Sequence, residues 1–267
     1  MSTAPRSTEV WKTQHEIAHE SLTEFTFLYR DWIYPNTFEM LRGKDVLDAG
    51  SGPGVQIRLM AECARSVTAV DLEAIEVSKA TTQDLADKIR YLRDDISTMD
   101  LGRQFDVVNC VGVIHHTDDP TVTFKNLLRH LKPGGRMIIW AYAEEGNFLM
   151  KRGVEPLRKA LLDTAPHRAV WVLSVALTAA MWPVVHTVYR LPVNFLPYYD
   201  YFANFRRLSF RRNVLNVYDK LNAPQQHFLS RATMESWFNP QDFEDVHLSQ
   251  YAGVSWRASG TRRAGAR

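Results

Sequence analysis

The sequence predicts an α/β fold: a doubly wound parallel sheet interrupted by an inserted, mostly helical cap. Two observations predict the sheet. Between residues 45 and 141, short apolar runs alternate with amphipathic stretches, the pattern of strands exchanging with helices. A glycine-rich turn, Asp48-Ala-Gly-Ser-Gly-Pro-Gly54, follows the first run and precedes a helical stretch. A third observation predicts the cap. Residues 146–232 break the alternation and carry 12 Lys and Arg against 4 Asp and Glu, whereas residues 1–145 carry 16 against 22.

The elements follow in order. Residues 8–34 read as helix and form, with the rest of 1–44, an N-terminal lid; Pro35 ends the run. Asp45–Ala49 is a short buried strand, 55–64 a helix, Ser66–Asp71 a second strand and 73–88 a second helix. Tyr91–Arg93 is a brief third strand and Phe105–Val111 a fourth. A helix over 119–131 is ended by Lys-Pro-Gly-Gly, and Arg136–Ala141 is a fifth strand within a core that runs over 45–145. After the cap, 233–258 returns to the core with a helix at 233–239 and strands near 244–249 and 253–258. A basic tail, 259–267, is expected to fray.

Composition sets bounds. With 267 residues and 45% hydrophobic content, the chain can bury a large core and is not a disordered segment. Two cysteines, Cys63 and Cys110, are too few for a disulfide scaffold, and the N-terminus has no apolar signal segment. A cytoplasmic location is expected. The run from Ala169 to Val185 has no charge, yet as a helix it would span only about 25 Å against a hydrocarbon core of about 30 Å. A buried cap helix or a homodimer interface is the leading expectation, with membrane-surface contact the lesser one. Pro183 is expected to break the helix near its end.

The glycines read G-x-G-x-G, and Val55 stands where a dinucleotide site wants its third glycine, which speaks against NAD and FAD. Asp71 ends the second strand, where an acid can accept both hydroxyls of an adenosine ribose; the other reading is a helix N-cap. Asp95, following the third strand, can accept from an adenine amino group, with Asp94 the lesser candidate. Together these residues outline a cradle for an adenosine ligand.

VLDAGSGPG, AVDLEAIEVSKA, RDDI, FDVVNCVGVIHHTDDP and LLRHLKPGGRMII, in that order, resemble a class I S-adenosylmethionine-dependent methyltransferase over roughly residues 45–141. The tail resembles that family's final helix and β-hairpin. The resemblance implies a Rossmann-like, seven-stranded sheet with an antiparallel last strand and S-adenosyl-L-methionine as cofactor. It implies that Gly50, Gly52 and Gly54 cradle the methionine portion, Asp71 holds the ribose, Asp95 and Ile96 contact adenine, and Val111 faces the sulfonium. Asp48, Ser51 and Leu72 flank these and belong to the same candidate set. Ser51 and Pro53 replace the family's usual loop residues.

Methyl transfer needs mainly alignment, but a hydroxyl acceptor also needs a base. His116, just after the fourth strand, is the first candidate, and its other reading is a loop-shaping imidazole. His115 is the second, with a packed side chain as its other reading. Asp118 and Asp119 most simply start the next helix; with the histidines they would otherwise suit Mg²⁺, but no metal is expected because the spacing is not diagnostic. His15 and His19 share a helix face without a third metal ligand, so a lid helix is expected there. Tyr29 on that helix would close over the cofactor, and His227 would line the substrate pocket. Arg206 and Arg207, with Arg211 and Arg212, suit an anionic small molecule. A nucleic-acid partner is not expected, because the acidic core would repel it. The function expected is His-assisted O-methylation of a sugar, a natural product or another polar metabolite, an anionic one included; N-methylation of an amine, a quinone- or lipid-type acceptor at a membrane surface, and a non-enzymatic cofactor-binding scaffold are the alternatives.

Overall fold

The computed structural model describes residues 22–162, 164–223 and 225–265. His15 and His19, with most of the expected N-terminal helix, lie outside them. Seven strands form one sheet: β1 (Asp45–Ala49), β2 (Ser66–Asp71), β3 (Ile89–Arg93), β4 (Phe105–Val111), β5 (Leu131–Tyr142), β6 (Phe243–Tyr251) and β7 (Ser255–Arg262), in the order β3-β2-β1-β4-β5-β7-β6. The first five are parallel, and β7 runs antiparallel to both β5 and β6. Val46, Leu47, Val67, Val107 and Val108 are fully buried, as expected for central strands covered on both faces. The chain turns from β1 outward to β2 and β3, then back to β4 on the other side. That reversal opens a crevice beyond the carboxyl ends of β1 and β4.

On the sheet pack α1 (Leu22–Ile33), α2 (Val55–Cys63), α3 (Ile75–Thr81), α4 (Pro120–Arg129) and, after the cap, α9 (Arg231–Trp237). The expected helix over 73–88 is instead α3 followed by a 3₁₀ segment, Gln83–Lys88. Thr82 makes the break: its hydroxyl bonds back to the Ser78 carbonyl at 2.7 Å and also meets the Tyr91 hydroxyl, a side-chain bond that competes with helix continuation. Asp119 caps α4, accepting from the N–H groups of Thr121 and Val122. The expected frayed tail is strand as far as Arg262. Ser259 is buried opposite Ile138, because β7 needs the whole length of β5 to pair.

The chain leaves β5 through Ala143 and returns at Leu229, and these two residues form a bridge. Between them lie α5 (Glu155–Leu162), α6 (His167–Thr187), α7 (Tyr199–Phe205) and α8 (Phe210–Asn222). Helix α6 corrects the expectation of a buried helix. It buries only a narrow stripe, Val170, Ser174, Thr178 and Val185, while Val172 is 66% exposed and Leu173, Leu177 and Val184 are exposed as well. An uncharged run does not show how wide a stripe is covered, and α6 has helices on one side only. Pro183 sits inside the helix rather than ending it. Only a single ladder bond is forfeited there, close to the last turn.

Candidate active site

The crevice and the cap enclose one cavity of about 1050 Å³. Its floor is the loop after β1. Gly50, Gly52 and Gly54 all adopt left-handed φ, +82°, +52° and +87°, which only glycine adopts without strain. Gly50 and Gly52 line the cavity with Pro53. Gly54 does not; it starts α2, and a Cβ there would meet the Ser78 backbone at 2.9 Å. Asp48 and Ser51 likewise lie behind the loop, fully buried and off the wall. Asp48, Ser51 and Gly54 thus shape the loop from beneath rather than line the cavity.

Asp48 anchors that layer. Its Oδ1 accepts from Asn109 Nδ2 at 2.6 Å, and the same amide nitrogen donates to the Tyr29 hydroxyl at 2.7 Å. Burial, reinforced by the nearby Asp71 charge, raises the Asp48 pKa to about 7. Tyr29 lines the cavity but is 1% exposed and stacked on Phe25 and Phe38. It is a fixed wall, not a closing lid.

Asp71 sits at the end of β2 and ties two loops together. Its Oδ2 accepts from Gly52 N–H, and its Oδ1 from Glu73 and Ala74 N–H, all at 2.9 Å. It thus braces the glycine loop and still faces the cavity beside Leu72, which is 53% exposed. Asp95, Ile96 and Asp94 line the next stretch of wall. Asp95 Oδ1 accepts from Ser97 N–H at 2.8 Å. Val111 and Gly112, at the end of β4, complete this half.

His116 lies where the two halves meet. Its Nδ1 is 2.7 Å from the Gln225 carbonyl. A carbonyl only accepts, so Nδ1 carries the hydrogen and Nε2 carries the lone pair. Burial holds the imidazole pKa below its ordinary value, against the opposing pull of Asp219. His115 is 0% exposed, off the cavity wall, and packed between the tilted rings of His116 and Tyr142 at ring separations of 4.2 and 4.0 Å. Neither of its ring nitrogens has a hydrogen-bond partner among the described residues, and neither reaches the cavity.

Burial also holds the His115 pKa well below 6.5. Below that pH the unfolded chain binds a proton that the folded chain refuses, so stability falls as pH falls. Thermal melts from pH 7 to 5 should therefore show a decline of up to about 1.4 kcal/mol per pH unit for this group. His115→Phe should remove this group's share and leave the part due to His116; an unchanged slope would mean that His115 protonates freely.

Three expected substrate contacts lie elsewhere. His227 is off the wall, its Nε2 accepting from the Gln225 side-chain amide at 2.8 Å. Arg206 donates to the Tyr189 carbonyl, and exposed Arg207 lies over the Phe27 ring. The cap half of the cavity is instead lined by Trp140, Tyr142, Tyr201, Phe202 and Phe228, with Arg212, Asp219 and Lys220 among them. Tyr142 donates to Asp219 Oδ2 at 3.0 Å, and Lys220 Nζ lies over the Tyr142 and Tyr201 rings. No local motif marks these residues. In sequence, Arg212 stands out only as one of four clustered arginines, and Asp219 and Lys220 carry no signal.

Residues 47–139 match the family model described as a methyltransferase domain. Over 106 residues the chain is 33% identical to a ubiquinone biosynthesis O-methyltransferase of Nitrosospira multiformis, covering 38% of this chain and 44% of that protein. Over 146 residues it is 30% identical to the protein of that name from Coxiella burnetii, covering 47% and 62%. The matches thus span less than two thirds of these relatives' length. An O-methyltransferase family protein from Burkholderia thailandensis superposes with a TM-score of 0.55 at 12% identity, over 94% of this chain and 60% of that one. The S-adenosylmethionine-dependent methyltransferase SibL superposes at 0.52 and 18% identity, over 90% and 56%. Both likenesses show the fold. Residues 47–139 are thus similar to a methyltransferase domain, and the fold is one that S-adenosylmethionine-dependent methyltransferases share.

Proposed function

We propose that this chain transfers a methyl group from S-adenosylmethionine to a hydroxyl of a largely apolar acceptor held under the cap. The observation that carries the reading is the continuous cavity, which joins Gly50, Gly52, Asp71 and Asp95 to His116 and to the aromatic wall of the cap. At about 1050 Å³ it exceeds the usual space for one small ligand and suits a donor and an acceptor together. The names of the curated relatives support oxygen as the acceptor atom.

The residues fit the donor. The bare backbone at Gly50 and Gly52 lets the methionine portion approach closely, Asp71 retains lone pairs for the ribose hydroxyls, and Asp95 with Ile96 borders the adenine. When bound, the cofactor supplies an already activated methyl group, so the protein's task is alignment. His116, with its lone pair on Nε2, takes the hydroxyl proton as the new carbon–oxygen bond forms. The aromatic wall excludes water from this step.

Calorimetry with S-adenosylmethionine and transfer of labelled methyl to a panel of hydroxylated aromatic compounds test the reading; no donor binding would overturn it. In the same titration, Asp71→Ala should weaken binding by about 1–3 kcal/mol, the cost of a lost charged hydrogen bond. Unchanged affinity would remove Asp71 from the ribose site.

A further inference from the structure

Helix α8 turns a polar stripe toward the cavity: Arg212, Asn216, Asp219 and Lys220 all line it, at the spacing that shares one helix face. At the far end of the stripe Asp219 binds the Tyr142 hydroxyl, beside the His115 and His116 rings. Lys220 is occupied by the faces of two tyrosines. Arg212, two turns earlier and about 10 Å away along the axis, is different. It is 8% exposed, and its Nε is buried without a hydrogen-bond partner. Its side chain forms no hydrogen bond or ion pair among the described residues. The guanidinium lies over the Phe25 ring, 5.7 Å from its centroid. Asp219 and Glu24 act on it only through space.

A guanidinium buried without an anion loses hydration that the Phe25 face does not restore. Such a group persists where a ligand supplies the missing charge. Of the arginines at 206, 207, 211 and 212, Arg212 is the one on the cavity wall. We propose that Arg212 is the anion-recognition point for the acceptor. The acceptor then carries an anionic group, such as a carboxylate, sulfonate or phosphate, roughly 10 Å from the hydroxyl that is methylated. An apolar body lies between, against Leu208, Leu215 and Phe205. This rests on the proposed methyl transfer for the position of the hydroxyl, but the anion site is measurable without turnover.

Two dyes with the same ring system separate charge from apolar fit: anilinonaphthalenesulfonate, which is anionic, and phenylnaphthylamine, which is neutral. Both are titrated by fluorescence into the full chain saturated with S-adenosylhomocysteine, whose own binding is recorded by calorimetry. Failure of the donor reading would thus show separately. The wild-type chain is expected to prefer the sulfonate. Arg212→Met should weaken the sulfonate about 10-fold to 100-fold and leave the neutral dye within about twofold. Arg212→Lys keeps the charge, should lose less, and serves if the methionine variant folds poorly. Arg207→Met, off the cavity, should change neither dye. Equal sulfonate affinity in wild type and Arg212→Met, no wild-type preference for the sulfonate, or parallel loss of both dyes would overturn the proposal.

Discussion

Replacing His116 with alanine is expected to lower kcat about 10²–10⁴-fold, the usual contribution of a general base, and to leave S-adenosylmethionine affinity nearly unchanged. The first half follows from the tautomer. The Gln225 carbonyl takes the Nδ1 hydrogen, which leaves Nε2 basic. The second half follows from position, since the residues read as holding the donor are Gly50, Gly52, Asp71 and Asp95, on other loops. The pH profile carries an independent signature. Burial lowers the His116 pKa, so the neutral form persists below the ordinary histidine value. The rate should stay flat as pH falls through 6.5 and drop only below it. Near-normal turnover in His116→Ala, with the same profile, would leave the imidazole a purely structural group. His227 is no substitute base, because its Nε2 is taken by the Gln225 amide.

The second large effect is expected at Gly50. A Cβ there would fall 2.4 Å from Val113 Cγ2 and 2.6 Å from Cγ1, on a backbone with φ of +82°. Overpacking costs about 1–3 kcal/mol and a left-handed alanine roughly 1–2, so Gly50→Ala should lose about 2–5 kcal/mol and lower Tm by roughly 5–15 °C. Donor affinity should fall with it, because Val113 and Gly50 both line the cavity. A double-mutant cycle isolates the clash: Val113→Ala should recover part of the loss in the Gly50→Ala background. Strict additivity would mean that backbone strain alone is responsible.

The parts legible in the sequence are those whose signal is local. Strands β1, β2 and β4 are apolar because both faces are covered, and their runs mark them residue for residue. The glycine turn and Asp71 sit within one β-α-β stretch, so spacing alone brings them together. Thr82 split a helix because a side-chain hydrogen bond outweighed a propensity too weak to reveal it. The acceptor half depends on distant pairings. Arg212 and Asp219 come from α8, Tyr142 from the end of β5, and Gln225 from the returning chain, so no window of sequence holds them together. The arginine cluster was visible as a cluster. Which of its members turns inward is set by the phase of α8 against the sheet, and the adjacent arginines gave no hint of it.

The bridge between Ala143 and Leu229 has a consequence for how a chain of this fold diversifies. The chain exits and re-enters the sheet at neighbouring points, so the register of β5 with β7 does not depend on what the 85 residues between them do. Substitutions, insertions or whole replacements in that excursion can redraw the acceptor chamber while the donor loops stay as they are. Selection for a new acceptor can therefore act on one continuous piece of gene without first compromising the cofactor chemistry.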